Sequence, residues 1–236
     1  MRRIDFVVPL NPEEGKLIKN LLPGLNVWQL DVWAELGRDE KLAPYGAKEA
    51  DSLVYWGAMD RQENVDAVTY AAEKILPRIW ARSLQVSFCV AGNRPPSWLV
   101  ERFRGSRVKV SGYVEEPFRF LANKRVALLP MRLGAGIKVK VLECMAAGLP
   151  VVTTPAGAEG IPGKDGMHFL VGTSEQELAE LTLALLETPA RAEEMGERAR
   201  ENILENHSFE RSLQEIETHL LLRVGNSQPK CSTVSV

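Results

Sequence analysis

Eight short apolar runs recur along this chain with amphipathic stretches between them, and that rhythm restricts the fold more than any other feature. The runs are "IDFVVPL" (4–10), "NVWQL" (26–30), "SLVYWG" (52–57), "QVSFCVAG" (85–92), "RVKVSGY" (107–113), "RVALLP" (125–130), "LPVVTT" (149–154) and "MHFLVG" (167–172). Several are continuously apolar rather than alternating, as strands covered on both faces must be. Helical periodicity occupies 11–22, 63–80, 96–104, 116–123, 138–148, 174–187, 190–205 and 208–223. Strand, helix, strand with short glycine- or proline-marked joins predicts an α/β fold, a Rossmann-like parallel sheet with helices on both faces.

Residues 31–51, "DVWAELGRDEKLAPYGAKEAD", break the rhythm with mixed charge, Gly37, Pro44 and Gly46, and read as a linker. The strand-helix-strand fragment before it is too small for a core of its own. Residues 52 to about 190 carry six strands, enough for one doubly wound domain. The polar tail, "GNSQPKCSTVSV" (225–236), has the composition of a disordered segment.

A formal net charge of −2 gives no electrostatic reason to expect nucleic acid or an anionic membrane as partner. Any anion must be held by local geometry. Cys89, Cys144 and Cys231 are widely spaced without metal-site spacing, and the first two, in apolar runs, read as buried free thiols. The basic N-terminus, "MRRIDFVVPLNPEEGKL", has an apolar run too short for a signal peptide or a membrane span, so the expected location is cytoplasmic.

The chemistry concentrates in "LLPMRLGAGIKVKVLECMAAGLPVVTTPAGAEGIP", 128–162. Gly134 and Gly136 allow close approach of a ligand to the main chain after a strand. The amides of Ile137, Lys138 and Val139 fall at the first turn of a helix, where unpaired donors make an anion site. Lys138 there opposes the helix dipole by a few tenths of a kcal/mol, roughly, and a phosphate reverses that sign. Glu143 lies roughly 7–9 Å further along the axis, and its carboxylate can accept from a vicinal diol such as a ribose. The plainer alternative is an ordinary strand-to-helix turn with Lys140 and Glu143 as an exposed i,i+3 pair. The spacing is neither GxGxxG nor a P-loop, and does not decide between the two.

"GAGIKVKVLECMAAGLPVVTTPAGAEGI" resembles the donor-binding signature of group 1 (family 4) glycosyltransferases of the GT-B fold. Upstream, "LVYWGAMDRQENVDAVTYAAEKILPRI", "VSFCVAGNRPP" and "VKVSGYVEEPFRFLANKRVALLPMR" resemble the earlier segments of the same C-terminal domain, in order. The resemblance implies that 52–223 is a nucleotide-sugar donor-binding domain. Residues 1–51 are then a remnant of an N-terminal acceptor domain plus linker, 224–236 a disordered tail, and the helix at 208–223 a crossover. By position, it puts Glu143 on the ribose and Ile137, Lys138 and Val139 on the diphosphate. Gly57 and Gly136 then lie close to the donor, and Tyr113 and Val114 frame the base. The implied reaction is retaining transfer from a nucleoside-diphosphate sugar to an unknown acceptor, with no cofactor and no obligatory metal.

Two departures qualify that expectation. The first acid of the family's E-x7-E motif falls at Ala135, and the Arg and Lys of the loop after the first strand fall near Ala58 and Asn64. Arg61, Arg132 and Lys138 are the candidates to supply phosphate charge, and Glu159 in "PAGAEG" is a candidate sugar contact or a turn-capping acid. His168, His207 and His219 are read as structural or surface groups, and the tryptophans, Trp56 among them, as core or interface anchors. A non-catalytic nucleotide-sugar-binding module, or a truncated product needing a partner acceptor domain, remains the alternative to an enzyme.

Overall fold

A single parallel sheet organises the protein. The computed structural model describes residues 6–9, 12–28, 30, 48–207 and 209–226. Residues 31–47 of the linker, Trp33, the side chain of His219 and the tail from 227 with Cys231 lie outside the described residues. The strands are β1 (Ser52–Trp56), β2 (Ser87–Ala91), β3 (Val108–Gly112), β4 (Val126–Leu129), β5 (Val151–Thr153) and β6 (Leu170–Val171). Their order is β3-β2-β1-β4-β5-β6, every neighbour parallel. This is the α/β, Rossmann-like architecture that the rhythm predicts.

The central strands are apolar on both faces because helices cover both. Leu53, Val54, Val126, Ala127, Leu128 and Leu129 have no exposed surface, and each large side chain so buried contributes roughly 1.5–3 kcal/mol. Val54 pairs with Cys89 on one side and Ala127 on the other, which fixes β1 as the middle of the sheet. The chain runs outward from β1 through β2 to β3, then crosses back to β4. At that reversal the loops after β1 and β4 leave in opposite directions and open a crevice beyond the strands' carboxyl ends.

The helices are α1 (Pro12–Leu21), α2 (Gln62–Tyr70), α3 (Leu76–Arg82), α4 (Ser97–Arg102), α5 (Pro117–Ala122), α6 (Val139–Ala146), α7 (Pro155–Ala158), α8 (Glu175–Glu187), α9 (Pro189–Asn206) and α10 (Phe209–Asn226). The predicted helix at 63–80 is α2 and α3 joined by a π turn, Ala71–Ile75. Pro77 cannot donate in the ladder, and the wide turn just before it accommodates the break. Among the described residues of two predicted strands, 4–10 and 26–30, the pairing is one parallel bridge, Val7 to Val27. Helix α7 escaped the periodicity because four residues, PAGA, show no period; Thr154 caps it by accepting from Gly157 N at 3.1 Å.

Two backbone approaches bring the elements closer than side chains allow. A Cβ on Gly92, at φ +143°, would stand 1.9 Å from Gly57 O, so the ends of β1 and β2 pack main chain on main chain. A Cβ on Gly196 in α9 would stand 2.3 Å from Gly148 O, at the turn between α6 and β5. Gly92→Ala is therefore expected to lower stability by about 3 kcal/mol or more, strain and backbone clash together. Gly24→Ala, with nothing within 4 Å of the new methyl, should stay within about 0.5 kcal/mol. Paired denaturant unfolding curves check both.

Candidate functional site

The carboxyl end of β1 supplies most of one wall of the crevice. Trp56, Gly57 and Ala58 line a cavity of about 260 Å³ with Gly92 and Asn93 after β2, Tyr113 and Val114 after β3, Pro117 at the start of α5, and Glu143 on α6. In a parallel sheet every strand points its carboxyl end the same way, so residues far apart in sequence converge here.

Glu143 is held in this cavity by a hydrogen bond from Trp56 Nε1 to its Oε2, 2.6 Å long. Burial pushes its carboxyl above the ordinary value, against the Trp56 hydrogen bond and the Lys140 charge, which both favour the ionised form. The Trp56 ring lies against Phe120, with centroids 6.4 Å apart, and this fixes the indole. Glu143 and Lys140 are thus not an exposed surface pair. The signal for Trp56 was its place as last residue of a strand directly before a glycine, where a parallel strand reaches the ligand side.

The loop between β4 and α6 rests on the end of β5. Thr153 Oγ1 donates to Leu129 O at 2.6 Å, and Thr154 Oγ1 donates to Met131 O. Gly134 and Gly136 adopt φ of +93° and +76°, the left-handed conformations that glycine allows. The amides of Ile137, Lys138 and Val139 have no backbone acceptor among the described residues. Ile137 packs under Gly160, whose added Cβ would meet its Cγ1 at 2.8 Å. Lys138 is buried, its ammonium donating to Gly136 O and lying 3.9 Å from Glu159 Oε2.

The proposed cations are not equivalent. Arg132 lies flat on Tyr70, 4.2 Å from the ring centroid, and both its Nε and Nη2 donate to Asp66, at 3.1 and 2.6 Å. Arg61 is largely exposed, with one loose ion pair to Glu63 at 3.9 Å. Tyr113 is 72% exposed at the rim, with Val114 half-buried beside it.

A polar cluster that sequence reasoning missed lies under Gly57. Asn64 Oδ1 accepts from Tyr55 Oη at 2.9 Å and from Lys140 Nζ, while Asn64 Nδ2 donates to Ala58 O at 2.6 Å. A Cβ on Gly57, at φ +153°, would stand 3.0 Å from Asn64 Nδ2 and 3.2 Å from Lys140 Cε. The available signal was the spacing of Lys138 and Lys140. Two residues on a helix differ by about 200°, so both cannot face solvent on one side. His168 is structural: its Nδ1 accepts from Lys164 N at 3.0 Å, and burial lowers its pKa.

Among the described residues no group of three or more His, Cys, Asp or Glu is placed to hold a metal ion, and no helix is long and apolar enough to cross a membrane.

Comparison with known proteins adds a family to this geometry. The family described as glycosyl transferases group 1 matches residues 50–188, more than half of the chain. No curated protein matches. Among solved structures, TarM from S. aureus, in a complex with fondaparinux, α-GlcNAc-glycerol and UDP, aligns with TM-score 0.73 at 20% identity. HepE from Anabaena with UDP and glucose gives 0.71 at 13%, and sucrose-phosphate synthase from Thermosynechococcus elongatus 0.72 at 18%. The alignments cover 91%, 92% and 94% of this chain, but 43%, 62% and 59% of those chains. The chain thus spans about half the length of the structures it matches.

A stability prediction follows from Glu143. Its folded pKa is raised, so the folded state resists its ionisation, and Glu143 weakens stability above that pKa and recovers it as the pH falls toward the unfolded value. Glu143→Gln, whose amide oxygen still accepts from Trp56, is expected to unfold at higher temperature than wild type at pH 8. The difference should shrink as the pH is lowered toward the carboxyl's ordinary range. Thermal unfolding of both proteins across that span of pH checks the sign.

Proposed function

Because the chain belongs to the group 1 glycosyltransferases, we propose that the cavity is the donor site of a sugar transfer from a nucleoside-diphosphate sugar, and that this chain is the donor-binding half of a GT-B enzyme. One observation carries the reading. Glu143 stands at the crevice where the strand order reverses, with one carboxylate oxygen on Trp56 and the other available to a ligand. A ribose presents two vicinal hydroxyls, both donors, and suits that oxygen.

A volume of about 260 Å³ accommodates a nucleoside rather than a whole nucleotide-sugar. The base lies between Tyr113, Val114 and Pro117, and the diphosphate extends over Gly57 toward the loop of Gly134 and Gly136. There the amides of Ile137, Lys138 and Val139 receive its oxygens, with Lys138 beside them. Arg61 can swing in from solvent, whereas Arg132 must first leave Asp66, which makes it the weaker candidate. Amides and ammonium groups aimed at the leaving diphosphate stabilise the charge that develops as the glycosidic bond breaks. Glu159, paired with Lys138 at the edge of the loop, is the candidate contact for the sugar. Retention of configuration and an obligatory metal's absence stay on the resemblance alone.

A second reading is favoured by Ala135. No carboxylate stands there to meet the donor sugar, and a nucleotide-sugar-binding module that depends on a partner acceptor domain fits that gap. Both readings share the binding site and differ in turnover.

Calorimetry with UDP, GDP, ADP and their sugars tests the site. UDP is the first probe because the TarM and HepE structures contain it. At least one diphosphate should bind, and Glu143→Ala should weaken it about tenfold or more, the loss of a hydrogen bond to a charged acceptor. Undiminished binding in Glu143→Ala would sink the ribose assignment. Release of free sugar or transfer to added acceptors by the isolated chain decides for the enzyme; binding without either decides for the module.

A further inference from the structure

Lys140 takes no part in the ribose or helix-amide contacts above, yet its environment is unusual for a lysine. Its ammonium donates to the amide oxygen of Asn64 and lies 3.9 Å from Met131 Sδ. Among the described residues no carboxylate comes within ion-pair distance of it. A cation kept half-buried against neutral partners carries a desolvation penalty that nothing nearby offsets in full. Its pKa is accordingly lowered to about 8, chiefly by burial.

The other cations near the two loops are already matched. Arg132 is neutralised by Asp66, Lys138 sits beside Glu159, and Arg61 pairs with Glu63 at the surface. Among the described cations near these loops, Lys140 has no carboxylate at ion-pair distance, and it lies behind the cavity lining at Gly57. Its Cε would be 3.2 Å from a Cβ on Gly57, and Gly57 and Ala58 belong to that lining. A side chain at position 57 would intrude on Lys140 and Asn64.

Asn64 explains how the charge is retained. Its Nδ2 is committed to Ala58 O, so its oxygen must face Lys140 and Tyr55. An amide at this position positions the ammonium without neutralising it; an aspartate would form the missing ion pair. The residue that falls near the basic position of the related loop has thus become the anchor for a cation delivered from α6.

We infer that Lys140 supplies the cation that receives the donor's diphosphate, presented through the floor at Gly57 and held ready by Asn64. The inference rests on the donor-site reading and assigns its charge to a different element. Helix α2 contributes the anchor, Asn64, and the start of α6 contributes both the amides and the ammonium.

A diphosphate on Lys140 favours the protonated amine, so binding raises its pKa. Affinity is then full below about pH 8 and falls as the pH rises through the free-state value, toward tenfold per unit. The groups facing Lys140 are Glu63 on α2, Arg61 before it, Lys138 and Glu143 on its own side, Tyr55 on β1 and Cys144. Burial holds the Tyr55 phenol and the Cys144 thiol well above their ordinary values, so neither ionises in that window. A terminal phosphate titrates near about pH 6, below it.

The test compares UDP, GDP and ADP with uridine, guanosine and adenosine, measured by calorimetry and ligand-observed NMR. Lys140→Met, matched in length and without charge, should weaken the bound diphosphate about tenfold or more while the nucleoside stays within about twofold. That unchanged nucleoside affinity also reports an intact site. In wild type, the ratio of diphosphate to nucleoside affinity should be level from pH 6.5 to 7.5 and drop between pH 8 and 9.5, a readout that needs no variant to fold. Equal losses for diphosphate and nucleoside, or a ratio flat to pH 9.5, overturn the role of Lys140 and leave the donor site standing. Failure of every diphosphate to bind wild type overturns the donor site itself, and this inference with it.

Discussion

The contact between the ends of β1 and β2 sets the geometry of everything on the ligand side. Gly92 approaches Gly57 O so closely that no side chain fits between them. Hydrogen bonds from Gly57 N to Ala91 O and from Gly92 N to Gly112 O carry the ladder one step past the strands. Three successive strand ends are thereby locked in a row. The row places Trp56 beside Glu143 and presents a floor of bare backbone at Gly57, behind which Asn64 and Lys140 are packed. A looser junction would allow side chains at these positions and close the path between cavity and cluster.

Electrostatics in such a site is a matter of which charges are left uncompensated. A near-neutral chain has no surplus field to attract a polyanion, so the attraction must come from a few groups kept short of partners. Arg132 shows the opposite arrangement: a guanidinium stacked and bidentate on a carboxylate is a structural tie between loop and helix. Lys138 is intermediate, since Glu159 shares it at 3.9 Å and can be displaced. Glu143 and Lys140 are both groups whose ionised forms burial disfavours. Both flank the same floor. Such frustration lowers stability and is tolerated where a ligand relieves it.

The strands were legible because parallel, doubly covered strands have to be continuous apolar runs, and "VALL" admits few other readings. The rims were less legible. Strands β5 and β6 need only three and two residues of pairing, so the apolar runs that contain them overstate their length. The bridge of Val7 to Val27 shows the limit of the same signal: an apolar run becomes a strand only where a neighbour pairs along its length. In the site, local spacing left Glu143 and the glycine loop undecided between a ligand cradle and an ordinary turn, and the resemblance singled them out. Trp56, Asn64 and Lys140 were legible by neither, because their meaning depends on a contact between residues about 80 positions apart, 56 with 143 and 64 with 140. No local period encodes which face of α6 turns toward β1. That is a tertiary fact, set by packing Val141, Leu142 and Met145 against the sheet.

Binding and turnover place different demands on this crevice. Holding a nucleoside diphosphate needs only the strand ends, the loop of Gly134 and Gly136, and α6, all of which one sheet positions. Transfer also needs an acceptor brought within bonding distance of the anomeric carbon, and water excluded from it. The cavity is open on the side away from the sheet's floor, where Tyr113 is 72% exposed at the rim. A solvated rim favours reversible binding, since water competes for the sugar's hydroxyls as readily as any acceptor does. On the donor-site reading, cover over Tyr113 by an acceptor domain is the step that would separate a binding half from a transferase. On that same reading, charge from α6 would prepare the diphosphate to leave, and only a covered site would give that departure a productive partner.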